Sequence, residues 1–266
     1  MTTPAWATLV RADNPGPMTL EGTNTWLLCV AGRRVVVDPG PLLEEHLMRV
    51  AALGPVDLVL LTHRHPDHAE GAERFAALTE APVLDLADFS TAESSVLPGL
   101  RVLHTPGHTA DSVSFVVTVD DVSAVLTGDT ILGLGSTVVA HPDGRLGPYL
   151  SSLRELAGLG DIVVLPGHGP VLQSVRAAAT GYLDHRLKRL DQVRAAVASG
   201  ADTPDTVVRR VYADVDPILW PAAKLSVLAQ LAYLQESEPE STRSFSGDLE
   251  VALRRDSDWR PARESS

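Results

Sequence analysis

Six consecutive residues, His63-Arg64-His65-Pro66-Asp67-His68, bring together four side chains able to bind a metal ion, directly after the apolar run Asp57-Leu58-Val59-Leu60-Leu61-Thr62. Packing gives no reason to gather three imidazoles and a carboxylate where a strand ends. A polar turn that caps a helix accounts for Asp67 alone. Side chains alternate with period two in an extended or turning segment, so His63 and His65 point the same way and can share one ion. Pro66 suits the first position of a helix and discourages helix before it, which turns Asp67 and His68 toward a second position. The spacing therefore predicts two ions. Imidazole and carboxylate donors favour two zinc ions, and iron or manganese also fits such a set.

Three later blocks repeat the pattern of an apolar run, a glycine turn and a donor. Residues 100–104 read as a strand entering Thr105-Pro106-Gly107-His108-Thr109, where Gly107 allows the tight turn that aims His108 inward as a third ligand of the first ion. His104 shares that loop and is expected to stand behind the ligands at most. Two alternating strands, 113–119 and 122–126, end at Thr127-Gly128-Asp129-Thr130, and a carboxylate just after glycine can approach closely enough to bridge two ions. A strand over 162–165 feeds Pro166-Gly167-His168-Gly169-Pro170. The set assigns His63, His65 and His108 to one ion, Asp67, His68 and His168 to the other, and Asp129 between them. Each ion then keeps room for a shared water, as a catalytic site requires.

Upstream, a turn at 14–17 precedes strands over 25–30 and 34–38, and Pro39-Gly40-Pro41 separates them from a helix over 42–53 with Leu43, Leu47, Val50 and Leu53 at helical spacing. Asp38 closes a strand at the same sheet edge as His63. A carboxylate there can orient a ligating imidazole, or it can simply cap the turn. Asn24 and Thr25 join the candidate site as polar residues near a strand start. The single cysteine, Cys29, excludes an intrachain disulfide and, within Trp26-Leu27-Leu28-Cys29-Val30, is expected to be a small buried hydrophobe in a reducing compartment. No charged and apolar leader and no membrane-length apolar run are seen, so a soluble, cytoplasmic protein is expected. A net charge of −12 disfavours non-specific attraction to nucleic-acid backbones over most of the surface.

The blocks HRHPDH, TPGHT, TGDT and PGHGP, in that order, resemble the metallo-β-lactamase superfamily. The opening NPGPMTLEGTNTWLL, the block GDTILGLGST, the segment Tyr149-Leu150-Ser151-Ser152-Leu153 and Asp184-His185-Arg186 are similar to its beta-lactamase-like protein 2 group, whose better-known members are single-strand endoribonucleases. The resemblance implies an α+β fold, a four-layer αβ/βα sandwich with metals at one sheet edge, followed by a small winged-helix-like α domain. The expected division is 1–180 catalytic, 181–240 helical appendage and 241–266 a partly ordered tail. Asp129 stands where the main zinc β-lactamases carry cysteine, so antibiotic cleavage is not expected to be the main activity. Gly133-Leu134-Gly135-Ser136-Thr137 departs from the glyoxalase II block and disfavours glutathione thioesters. An insertion at 140–145 contributes His141 and Arg145 as candidates for the substrate mouth, beside Tyr149, although Pro142-Asp143-Gly144 also reads as a solvated turn.

Helices are expected over 183–197, 204–212 and 221–234. From 181 to 235 seven basic residues (Arg186, Lys188, Arg189, Arg194, Arg209, Arg210, Lys224) meet six acidic ones, so this region escapes the acidic bias. The site predicts attack by an activated water on a carbonyl or a phosphorus, with Asp67 or Asp129 orienting it or moving its proton. Three functions compete. The first is hydrolysis of a small ester, thioester or lactone, and the second is endonucleolytic cleavage of single-stranded RNA. The third is a metal-dependent binding module, which an open ligand set disfavours. No membrane partner is expected, and the oligomeric state is not legible.

Overall fold

The computed structural model describes residues 3–85, 93–239 and Thr242. Two five-stranded sheets form its centre. The first runs in the order β1 (Ala7–Arg11), β2 (Asn24–Val30), β3 (Arg33–Val37), β4 (Leu58–Leu60), β5 (Val83–Leu84). The second runs in the order β10 (Val163–Pro166), β9 (Val122–Gly128), β8 (Val113–Val119), β7 (Leu100–His104), β6 (Glu93–Leu97). Hairpin-connected strands pair antiparallel, whereas β3 with β4, β4 with β5 and β9 with β10 pair parallel, because a helix-bearing connection separates each of those pairs.

Period-two alternation divides the apolar residues between the faces. Trp26, Leu28, Val35 and Leu60 meet Val102, Phe115, Val117 and Leu126 in the core between the sheets. The alternate residues Leu27, Val36 and Val59 pack outward on Leu47 and Val50 of α1 (Glu44–Ala51) and Phe75 of α3 (Ala72–Thr79). On the other side Leu103, Val116, Val125 and Val164 meet α4 (Leu146–Gly158) and the start of α5 (Val175–Ala198). Helices, sheet, sheet, helices: this is the αβ/βα sandwich expected. A further apolar cluster joins Leu190, Val193 and Val197 of α5 to Val207 and Val211 of α6 (Pro204–Val211) and Val227 and Leu231 of α7 (Trp220–Ser237).

The 24 residues of α5 thus take part in two cores, and position 180 falls inside the helix. Ser174 caps it by accepting from Ala177 N, and Thr203 caps α6 by accepting from Thr206 N. Among the described residues no strand follows β10, and the described part of the C-terminal unit consists of helices. Apart from Thr242, the tail expected over 241–266 lies outside the described residues. Among the described residues no helix is long and apolar enough to cross a membrane.

One expectation for the first sheet is corrected. Cys29 is exposed. Opposite Arg34 and near the end of β2, it points to the outer face beyond the cover of α1 and α3, while Leu27 two residues earlier lies under them.

Candidate metal centre

Each donor follows the end of a strand or lies on the one-turn helix that comes next. His63 and His65 follow β4, and α2 (Pro66–Ala69) carries Asp67 and His68 with Pro66 in its first turn. His108 follows β7, Asp129 follows β9, and His168 follows β10. Gly107 makes its turn possible: at φ +142°, a Cβ there would lie 2.3 Å from Tyr149 Cα. Gly167 is as tight, since a Cβ would come within 2.6 Å of Asp129 Oδ1.

Two groups result. The donor atoms of His63, His65, His108 and Asp129 lie within 4.8 Å of one another, as do those of Asp67, His68 and His168. His65 Nδ1 is 3.0 Å from both His63 Nε2 and His108 Nε2, and His68 Nε2 is 3.2 Å from His168 Nε2. Asp129 reaches both groups, with Oδ1 3.3 Å from His68 Nε2 and Oδ2 3.7 Å from His108 Nε2. Its buried Oδ1 has no hydrogen-bond partner.

The outer ring nitrogens explain why the inner ones converge. His68 Nδ1 donates to Asp38 Oδ2 at 2.8 Å, and His108 Nδ1 donates to Val138 O at 2.7 Å with Thr137 Oγ1 at 3.1 Å. His63 Nδ1 lies 3.0 Å from Thr62 Oγ1, whose own proton goes to Asp38 Oδ2 at 2.6 Å, so the hydroxyl accepts from the ring. A ring with its outer N–H donated presents a lone pair inward, the tautomer a metal ligand needs. Lone pairs and an orphaned carboxylate oxygen facing one another at about 3 Å repel unless a cation or a proton lies between them. The donor set therefore fits a divalent metal.

The charges agree with this reading. Burial opposes ionisation of Asp67 and Asp129, yet neighbouring His68 and His168 hold both carboxyls well below the usual range. Burial likewise disfavours the charged form of His168, but Asp129 and Asp67 push its pKa up to about 9, and His68 is raised by the same carboxylates with Asp38. His108 is lowered to about 4 by burial, and His63 is held low by burial and by His68. A divalent cation would give Asp67 and Asp129 the positive charge that protonated imidazoles otherwise supply.

The remaining candidates divide. Asn24 is buried and acts on the His168 turn, donating from Nδ2 to Pro166 O at 3.0 Å and Gly169 O at 2.9 Å. Thr25 Oγ1 donates to Asp38 O at 2.7 Å. Tyr149 does not line the main cavity: it is fully buried, donates to Thr130 O at 2.7 Å and props the Asp129 turn. His141 and Arg145 are not at the mouth of the main cavity either. They line a small recess where Arg145 pairs with Glu236 at 2.7 Å, because the start of α4 turns them toward α7. His104 is half-buried at the end of β7, opposite Val113, with Nε2 unpartnered.

Sequence reasoning missed the wall of the site. A cavity of about 340 Å³ opens on His108 and Asp129, walled by Met18, Leu20, Leu132 and Leu134 on one side and by α5 and α7 on the other. The α5 side presents His185, Arg186 and Arg189. Their i, i+1, i+4 spacing was the available signal.

The family model of the metallo-beta-lactamase superfamily matches residues 18–84 and 84–168, a span that holds all seven donors. The chain belongs to that superfamily. A second model, the beta-lactamase associated winged helix domain, matches residues 203–238 of this superfamily member. The beta-lactamase-like protein 2 homolog of Caenorhabditis elegans is 30% identical over 240 residues, covering 78% of the chain and 76% of the relative. The atrochrysone carboxyl ACP thioesterase of Aspergillus chevalieri is 33% identical over 232 residues, covering 77% and 73%. A metallo-beta-lactamase family protein from Thermus thermophilus shares the fold, with a TM-score of 0.72 at 24% identity over 89% of this chain and 95% of its own. Family and relatives make the chain a metal-dependent hydrolase.

Proposed function

We propose that this hydrolase uses two zinc ions to cleave small acyl substrates, thioesters foremost, with esters and lactones within reach of the same chemistry. The cavity carries the reading: about 340 Å³ is the size of a small molecule, and its apolar wall ends at His108 and Asp129. The thioesterase relative supports it.

His63, His65, His108 and Asp129 would hold one ion, Asp67, His68, His168 and Asp129 the other. When bound, the ions supply Lewis acidity and lower the pKa of a water between them toward neutrality. The chain's own groups do the rest. Apolar side chains hold the acyl group and exclude bulk water, which strengthens every electrostatic interaction inside. Asp67 is the more open carboxylate, 26% exposed at its side chain against 10% for Asp129, and would accept the hydrogen of the attacking water. Kept ionised by the positive charge a divalent cation would bring, it would orient that water rather than retain its proton.

Cleavage of single-stranded RNA is the competing reading, favoured by the resemblance to the beta-lactamase-like protein 2 group. Purified, metal-loaded protein offered labelled single-stranded RNA and a thioester panel separates the two. Thioester turnover with intact RNA is expected. RNA cleavage that is lost in the Arg209→Ala, Arg210→Ala double variant, with thioesters untouched, would overturn the proposal. Elemental analysis of protein purified without added metal, expected to show two zinc per chain, decides against iron and manganese.

A further inference from the structure

The Asp184-His185-Arg186 segment has no part in the chemistry above, although its third residue is placed unusually. Arg186 lies in the middle of α5 and is only 4% exposed. Among the described residues no carboxylate pairs with it, while nearly every other buried or half-buried charge of the site has an opposite charge at hand. Its guanidinium hydrogen-bonds to Thr137 O, rests 5.3 Å from the centre of the Tyr149 ring, and leaves Nε without a partner. A buried guanidinium with donors unused and no counter-charge is costly unless an anion completes it.

The cavity is where that anion can come from. Arg186 lines the same space as His108 and Asp129, with His185 and Arg189 on the same wall. Arg189 is already engaged: it donates to Val211 O at 2.6 Å, lies over the Tyr212 ring and faces Asp214 at 3.7 Å. His185 has an unpartnered buried Nδ1, and its pKa is lowered by burial and then by the neighbouring cations. A neutral imidazole beside an uncompensated guanidinium makes a pocket that accepts an oxyanion and offers it two kinds of donor. In a chain whose net charge is −12, two arginines and an imidazole on one wall of a cavity that opens on the metal centre stand out.

We propose that Arg186 anchors an anionic group of the substrate, a carboxylate or a phosphate, held away from the carbonyl that is attacked. The planar fork matches either oxyanion in two parallel hydrogen bonds, which a lysine cannot reproduce. The preferred substrates are then acyl thioesters that carry a negative charge, either on the acyl part or on the thiol carrier. This rests on the thioesterase reading for the bond that is cleaved, but not for the anion that is bound.

Three thioesters test it: neutral hexanoyl-N-acetylcysteamine, glutaryl-N-acetylcysteamine with a free carboxylate, and hexanoyl-4′-phosphopantetheine. Wild-type protein should prefer at least one anionic member over the neutral one in kcat/KM, and which one identifies the source of the anion. In Arg186→Gln that preference should collapse by about 10- to 100-fold, the value of a charged hydrogen-bonded pair. Arg186→Lys keeps the charge and should recover only part of it. Glutarate and inorganic phosphate binding, read by calorimetry on the metal-loaded protein, should weaken in parallel. Equal loss on all three thioesters with the preference intact, or a wild type with no preference, would overturn the anchor and leave Arg186 a strut for Thr137. If no thioester is cleaved but Arg186→Gln still abolishes glutarate or phosphate binding, the anchor stands and the reading of the cleaved bond falls. Should Arg186→Gln fail to fold, the lysine variant carries the same comparison.

Discussion

Asp38 Oδ2 accepts a hydrogen bond from His68 Nδ1 at 2.8 Å, and both side chains are buried. The same carboxylate accepts from Thr62 N at 2.8 Å and Thr62 Oγ1 at 2.6 Å, so one acidic residue ties the end of β3 to the histidine-bearing loop after β4. It does so from φ +51°, a left-handed conformation that costs a non-glycine residue energy and persists because three donors converge on it.

Replacing that carboxylate should be felt at the metal. In Asp38→Ala, Thr62 N, Thr62 Oγ1 and His68 Nδ1 lose their acceptor in a buried place, and metal affinity is expected to fall about 10- to 100-fold. Zinc competition against a chelator of known affinity measures it. Unchanged affinity would remove Asp38 from the site.

Asp129 has two oxygens that face both donor groups. Asp129→Asn should abolish turnover and lower metal content, while circular dichroism shows a folded chain. His65→Ala should do the same. Full activity in either variant would refute the dinuclear reading.

A histidine away from the reaction gives the clearest pH effect. Buried His46 has its Nε2 2.9 Å from Thr25 Oγ1 and its Nδ1 3.4 Å from the Arg49 guanidinium. Burial, and then Arg49, lower its pKa from 6.5 to about 4. The unfolded chain therefore takes up this proton first. Stability is full at neutral pH and is lost as pH falls from 6.5 through about 4. Between pH 7 and 5, urea unfolding should cost wild type about 1 kcal/mol more stability than His46→Gln, the figure allowing for solvent screening. Equal losses would show that His46 is not held neutral.

Gly107→Ala should unfold the His108 turn. The added Cβ would lie 2.3 to 2.5 Å from Tyr149 backbone and Cβ atoms, at a φ of +142° that alanine avoids. A loss of about 3 kcal/mol or more is expected, with His108 displaced and zinc binding weakened. A thermal melt with and without zinc reads both.

The donors were legible because each block is marked locally: an apolar run, then a turn in which histidine or aspartate stands close to a glycine or proline. The strands over 100–104 and 113–119 were equally plain from alternation, and Asp120-Asp121 indeed turn the chain with both residues at positive φ. Edge strands β1, β5 and β6 are short or carry polar residues, so they lack a pattern. Helix α4 was hidden by Gly147 and Pro148 in its first turn. Chain order puts Tyr149 near the insertion and suggests a substrate contact, whereas its burial makes it a prop. What sequence cannot show is the route Arg186, Thr137, His108, whose links join residues 49 and 29 positions apart. Only tertiary packing brings them together.

Helix α5 is about 36 Å long, at about 1.5 Å per residue. Its first turns are stitched into the sandwich through Val175 and Ala179, its last into the bundle through Val193 and Val197, and Arg186 sits between. A girder shared in this way leaves no seam to cut: excising the bundle after residue 180 would bare an oily scar on both pieces and remove the far wall of the cavity. Anything that tilts the bundle would carry the same bar across the mouth of the donor cluster.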